Sequence, residues 1–190
     1  MATLRNRNFF LLWSGGLISM IGTWMLLTAL PFYIYRETGS ALATSGLLMA
    51  FIGPGILFGS LAGVFIDRWD RRRVLLLGNA VQTALIALLL LVEANGWFGL
   101  IYVVAFAEST VNQFLGPAEN ALLPTLVGEE QLVAANSLNA LNDNLARVMG
   151  TALGGLLLGG VGFTNVVILD ALSYLAAAVL IAFVVSPPAR

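Results

Sequence analysis

The sequence predicts an all-α membrane protein, a bundle of about six transmembrane helices. Composition, the spacing of apolar stretches and the placement of arginine each point to it. Of 190 residues, 59% are hydrophobic and only 10% charged, with a mean hydropathy of +0.91. A soluble domain carries roughly 25% charged residues, and surface-to-volume scaling keeps a chain of this length from hiding so much apolar surface. The apolar residues fall into stretches long enough for about 20 helical residues to cross roughly 30 Å of hydrocarbon. All nine basic residues are arginine, and most of them fall in alternate connections.

The first span is expected at Asn8–Tyr35. Its core, Phe9 to Ile34, is too long for a signal peptide and lacks a clear small-residue cleavage site, so it stays in the protein. Thr38-Gly39-Ser40 breaks the helix, with Ser40 placed to cap the next one. The second span follows at Ala41–Phe65 and the third at Arg73–Val92, closed by Asn95-Gly96. The fourth is expected at Trp97–Ala118, then a longer connection holding Pro124 and Gly128. The fifth runs Leu132–Leu158, Gly159-Gly160 and Gly162 interrupt, and the sixth runs Thr164–Val185. No linker or low-complexity segment divides the chain, so residues 1–190 read as a single six-helix domain, with no internal repeat evident.

With six spans, Arg5, Arg7, Arg68, Arg71, Arg72, Arg73 and Arg190 lie on one side and only Arg36 on the other. The positive-inside rule makes both termini cytoplasmic. The absence of cysteine and histidine removes disulfides, thiol chemistry and the usual zinc or haem ligands, so no cofactor or metal is expected. Proton coupling, if used, falls to carboxylates. No phosphate-binding loop or hydrolase constellation is present, so the chain does not read as an enzyme. A net charge of −1 gives no sign of a nucleic-acid partner.

Small residues recur at helical spacing: Gly55, Gly59 and Gly63 in the second span, Gly15, Ser19 and Gly22 in the first, Gly150, Gly154 and Gly155 in the fifth. Such faces let backbones approach closely, which in lipid replaces the hydrophobic drive, and smooth faces also allow helices to rock. Pro31 and Gly53-Pro54-Gly55 free backbone carbonyls that lipid cannot satisfy, so these points should face protein or water, with Pro54 the better hinge candidate.

Four ionisable residues fall inside spans: Glu108, Asp143, Arg147 and Asp170. Each costs several kcal/mol at mid-bilayer, so each asks for a partner or a function. Asn136, Asn139, Asp143, Arg147 and Thr151 share one stripe of the fifth span, and Glu108, Asn112, Gly116 and Asn120 share one of the fourth. Both stripes are expected to face the bundle interior or a cavity. Arg147 can pair with Asp143 or with Glu108, which leaves the other carboxyl without a cation, as a proton-coupling site requires. Glu108 is the first candidate for that role and Asp143 the second, while Asp170 reads as local stabilisation. Trp13, Trp24, Met25, Met49, Tyr102, Phe106 and Phe114 are core, lipid-facing or substrate-lining residues. Trp97, Phe98 and Tyr102 suit an interfacial belt.

The stretch from Gly63 to Val74, with Asp67-Arg68 and Arg71-Arg72, resembles the signature between helices two and three of the major facilitator superfamily. Asp70 stands where the broad pattern often has Gly, and the form Asp-Arg-x-Asp-Arg-Arg is similar to the siderophore and drug exporter branch. Gly116-Pro117-Ala118, Ala121-Leu122-Leu123-Pro124 and Leu132-x-Ala134-Ala135-Asn136 resemble the same branch. So does Arg147-x-x-Gly150-x-x-x-Gly154-Gly155, with Thr151 where the antiporter motif usually has Pro. The resemblance covers Leu4 to Val185, one six-helix half of a family normally built from twelve.

The resemblance implies the N-terminal half of a secondary transporter in a bacterial inner membrane. It would carry out proton-coupled efflux of an amphipathic small molecule by alternating access. Gly63, Asp67, Arg68, Arg71 and Arg72 would form a cytoplasmic latch against the missing half, or against a second copy of the chain. The alternative is a truncated or half-size accessory protein that does not transport alone. Ser186-Pro187-Pro188-Ala189-Arg190 reads as the start of a central cytoplasmic loop.

Overall fold

The computed structural model describes residues 3–66 and 68–185, the side chains of residues 60–66 excepted. Asp67 and residues 186–190 lie outside the described residues, and of Gly63 only its place in a helix is described. Among the described residues the helices are α1 (Arg7–Thr38), α2 (Ala41–Ile66), α3 (Arg71–Ala87), α4 (Leu90–Asn95), α5 (Phe98–Leu126), α6 (Leu132–Val161) and α7 (Phe163–Ala182). Short 3-10 turns occupy Thr3–Arg5 and Glu129–Gln131. Six helical segments are long and apolar enough to cross a membrane, α3 and α4 together forming the third.

Local chemistry explains the boundaries. The Asn6 side chain accepts the Asn8 and Phe9 N–H groups at 3.0 and 3.3 Å and starts α1. Gly39 ends it at φ 63°, a left-handed position that suits glycine. Ser40 Oγ accepts the Ala43 N–H at 3.2 Å, so Ser40 caps α2 as expected. Asp70 caps α3 by accepting the Arg73 N–H at 3.0 Å. Two expectations need correction. The third span tightens at Leu88-Leu89, where N–H groups reach carbonyls three residues back. The fourth span does not stop at Ala118: α5 continues to Leu126, so Pro124 lies inside a helix. Its apolar row Ala118, Leu122 and Leu126 stays buried against Leu12, Leu75 and Ile181, and that packing carries the helix through both prolines.

The packing order is regular. α1 lies on α6 and α7, α5 lies on α2 and α3, and α3 meets α7. Counted as spans, the first packs on the fifth and sixth, the fourth on the second and third, and the third on the sixth. Exchanging spans one to three with four to six leaves this pattern unchanged. Because three spans is an odd number, the second triplet enters from the opposite side, giving an inverted repeat that the sequence did not display.

The end of the bundle that holds Asn6, Asn8 and Val185 is tied by polar contacts. Asn8 donates to the Val185 carbonyl at 3.0 Å and accepts the Val185 N–H at 3.1 Å, while Asn6 donates to the Leu126 carbonyl at 2.7 Å. The far end is closed by apolar packing around Met25, Leu30, Ile34, Leu89, Ile101 and Val167. Tyr33 stacks on Phe163 there at 3.9 Å between centroids, and the Arg36 guanidinium lies 5.7 Å from the Tyr33 ring centre.

The glycine faces serve close approach. A Cβ on Gly154 would overlap the Met25 backbone, and one on Gly150 would collide with the Ile21 carbonyl and the Trp24 Cβ. These two glycines bring α6 onto the backbone of α1. Gly155 faces nothing within 4 Å. Gly55 and Gly59 lie beside Gln113 of α5, and Gly15 lies against Ala177 of α7.

Candidate functional site

Four helices converge on a buried polar centre. Glu108 of α5 is 2% exposed, and Asp170 of α7 and Gln82 of α3 are 0% exposed. Gln82 Nε2 donates to the Glu108 backbone carbonyl at 3.1 Å and to Asn112 Oδ1 at 3.0 Å. The Ser173 hydroxyl lies 2.7 Å from the Asp170 carbonyl and 3.3 Å from its Oδ1. The Tyr174 and Thr23 hydroxyls are 2.8 Å apart and join α7 to α1. Gly22 of α1 makes room for this centre, because a Cβ there would overlap Asp170 Oδ1 and Ser173 Oγ. Asp170 thus lies within the electrostatic reach of Glu108, while its side-chain hydrogen bond stays local, to Ser173 of the same helix.

The centre is rich in oxygen and, among the described residues, holds no cation. Asp170 Oδ2 and Gln82 Oε1 are buried without a hydrogen-bond partner among the described residues. Ion pairs among the described residues are Arg36–Glu37 at 3.0 Å and Arg73–Asp70 at 3.7 Å, both far along the chain from Glu108 and Asp170. The expected pairings of Arg147 with Asp143 or Glu108 are not formed. The Arg147 guanidinium donates instead to Asn144 Oδ1 at 2.9 Å on the exposed side of α6.

That side of α6 carries the second predicted stripe. Asn136, Asp143, Arg147 and Thr151 are all exposed, and Asn139 is half-buried. The expectation that this stripe faces the bundle interior is corrected: α6 turns Ala135, Asn142, Ala146, Gly150 and Gly154 inward to meet α1. Asn142 donates to the Trp13 carbonyl at 3.0 Å, and Trp13 Nε1 donates to the Leu138 carbonyl at 3.0 Å. The stripe of α5 runs as expected from buried Glu108 to Asn112 and Gly116, which border an internal cavity, and turns outward at exposed Asn120.

A cavity of ≈ 260 Å³ adjoins the polar centre, bounded by α1, α3, α5 and α7. Thr23, Asn112 and Tyr174 belong to both. Its polar lining is completed by Ser19, Asn79 and Glu119. The aromatic and thioether residues nominated from sequence do not line it; Met20 and Tyr174 do. Phe114 lines a separate outer groove between α3 and α5, where its ring is 6.3 Å from that of Trp69.

Around the second connection, Arg72 donates to the Ala182 carbonyl at 2.6 Å and to the Ile181 carbonyl at 3.4 Å. It thereby satisfies the free carbonyls at the end of α7, where a cation suits the helix dipole. Arg68 is exposed, Arg71 is half-buried, and Pro54 is buried within α2. Sequence reasoning missed Gln82 and Glu119. Gln82 offers no signal beyond a polar residue in an apolar run. Glu119 was hidden by the early stop assigned to the fourth span.

Comparison with known proteins adds an independent finding. The family described as Major Facilitator Superfamily matches residues 12–190. Macrolide efflux protein A of Streptococcus pyogenes is 29% identical over 184 residues, covering 94% of this chain and 45% of that protein. An uncharacterised MFS-type transporter of Bacillus subtilis is 28% identical, covering 95% of this chain and 42% of its own. The enterobactin exporter EntS of Shigella boydii is 30% identical over 164 residues, covering 77% of this chain and 36% of its own. The chain therefore spans less than half the length of these relatives.

Proposed function

The chain belongs to the major facilitator superfamily, and from that premise we propose that it forms one half of a secondary transporter exporting an amphipathic small molecule. Its relatives include proteins named for macrolide efflux, multidrug resistance and enterobactin export. The observation that carries the reading is the pair of buried carboxyls, Glu108 and Asp170, adjoining a polar-lined cavity at the centre of an apolar bundle.

Proton exchange on Glu108 changes the charge at that centre, and so changes the relative energy of conformations that hydrate it differently. Asp143 is the second candidate, on the face that a partner bundle would cover. The termini lie in the cytoplasm of a bacterial inner membrane, and the arginine-rich connection faces the same side. Gly63, Asp67, Arg68 and Arg71 act there as a latch against the second bundle, and Arg72 couples the latch to α7 through its hold on that helix end.

Completion of the pathway requires a second six-helix bundle, either a C-terminal half or another copy of this chain. The exposed charges on α6 support this, since Asp143 and Arg147 are each costly against acyl chains. A chain that found neither partner would act as an accessory protein without transport.

The test is pH-gradient-driven efflux in proteoliposomes. Glu108→Gln is expected to abolish it while leaving the protein folded and inserted. Undiminished proton-driven flux in that variant would remove Glu108 from the mechanism.

A further inference from the structure

The outer groove between α3 and α5 has a volume of ≈ 630 Å³. Its α3 wall is one helical face, on which Arg73, Leu77 and Val81 recur at four-residue steps. From Arg73 to Val81 that face rises about 12 Å at roughly 1.5 Å per residue. One leaflet of hydrocarbon is about 15 Å deep, half of a core of roughly 30 Å. The groove therefore runs from the membrane surface through most of one leaflet. Leu77 and Val81 are 67% and 46% exposed, so it opens outward, where acyl chains lie.

Charge is confined to one end. Arg68, Trp69, Asp70 and Arg73 form the mouth, at the end of the bundle where Arg72 holds the α7 carbonyls. Deeper in, the described lining is apolar apart from Thr110, whose hydroxyl is spent on the Phe106 carbonyl at 2.8 Å.

The mouth favours an anion. Asp70 Oδ1 accepts the Arg73 N–H at 3.0 Å and its Oδ2 lies 3.7 Å from Arg73 Nε, so this carboxylate is committed to the start of α3. The exposed Arg73 side chain has only that long ion pair among the described residues. Arg68, also exposed, makes no hydrogen bond or ion pair among them. Two guanidiniums thus stand against one carboxylate, and the positive end of the α3 dipole adds to them. Trp69, with its ring 6.3 Å from Phe114, lies where an indole suits the membrane interface.

Cations at the surface and an apolar groove of leaflet depth match a molecule with a phosphate head and an acyl chain. Phosphate alone would leave the apolar part unfilled. A zwitterionic head would bring an ammonium for which the mouth has no uncommitted carboxylate. The second bundle is called for by the charges on α6, a helix that contributes nothing to the described lining.

We propose that this groove binds an anionic phospholipid, its phosphate held by Arg73 and Arg68 and one acyl chain laid along Leu77, Val81 and Phe114. Arg68 is shared with the latch, whereas Arg73 is not. The inference concerns the surrounding lipid rather than the transported molecule, and does not depend on transport.

The test is native mass spectrometry of the protein in its native membrane assembly, stripped of lipid in detergent. It would be titrated with phosphatidylglycerol or phosphatidylcholine of matched chains. The first phosphatidylglycerol is expected to bind about tenfold or more tighter than phosphatidylcholine. Arg73→Gln should cut that preference about fivefold, and Arg68→Gln combined with Arg73→Gln should abolish it. Arg5→Gln with Arg7→Gln, both exposed on the arginine-rich side, should leave it intact. Leu77→Trp fills the groove and should weaken phosphatidylglycerol binding although both mouth arginines remain. Absent or equal binding of the two lipids would overturn the proposal. So would unchanged binding in Leu77→Trp, or a preference lost as readily through Arg5 and Arg7.

Wild-type protein supplies a second readout. Phenylglyoxal labelling of Arg73, followed by peptide mass spectrometry, should be slowed by phosphatidylglycerol and not by phosphatidylcholine or by inorganic phosphate at the same concentration. Equal labelling with all three, or equal protection by inorganic phosphate, would also overturn it.

Discussion

The polar stripes of α5 and α6 are written alike in the sequence and meet opposite environments in the fold. On α5, Glu108 is enclosed by α3, α7 and α1, and its neighbours Gln82, Asn112 and Asp170 form a shared centre. On α6, Asp143 and Arg147 stand on the exposed side, and the helix touches the bundle mainly through α1. Periodicity shows that residues share a face, but not what covers the face. An interior charge on α5 is the concern of this bundle. On α6 each charge would cost about 2.5–3.5 kcal/mol or more against lipid at mid-membrane.

The most damaging change should be at the α6 seam. Gly154→Val places branched carbons where the Met25 backbone already lies. Overpacking of this kind costs about 1–3 kcal/mol in adaptable cores and more against backbone. We expect loss of monodisperse protein, or a large drop in melting temperature, on size-exclusion chromatography and thermal unfolding. Gly155→Val, with nothing within 4 Å, should be close to neutral. Similar losses for both would show that α6 is not held by a specific seam.

The next comparison sets the two stripes against each other. Gln82→Leu removes the bonds to the Glu108 carbonyl and Asn112, and should cost about 1–3 kcal/mol of thermal stability. Arg147→Leu loses only the bond to Asn144, and should shift the stability of the bundle by about 0.5 kcal/mol or less. Equal costs would mean that Arg147 is engaged within the bundle after all.

The mildest perturbation is a single reporter. The chain contains no cysteine, so one can be introduced without background. Asn144→Cys on the polar side of α6 should react with a water-soluble maleimide only when the covering surface is displaced or the pathway is open to water. Leu172→Cys, on an exposed apolar side of α7, should remain unreactive in membranes in all conditions. Equal reactivity at both would remove the distinction between a covered polar face and a lipid face.

Much of this was legible from residues alone. Span number, the Ser40 cap, and the small-residue faces at Gly15, Gly22, Gly150 and Gly154 follow from local rules that the fold respects. Pro124 concealed the end of α5, because a proline usually marks a helix boundary and here buried leucines carry the helix past it. That error hid Glu119. That Asp170 lies near Glu108 was not visible, because one helix viewed alone does not reveal that Gly22 of another opens a space for its carboxyl. The Arg147 pairings failed for a related reason, since spacing on one helix permits an ion pair without requiring it. The repeat of three spans became visible only in the packing order, which similarity between residues need not preserve.

The central claim is that the polar side of α6 is covered by a second six-helix bundle. Native mass spectrometry of the protein released gently from its own membrane tests it most directly. The account predicts either a species of twice 20.2 kDa or a longer polypeptide that contains this sequence. A lone 20.2 kDa species, stable and without a partner, would contradict it.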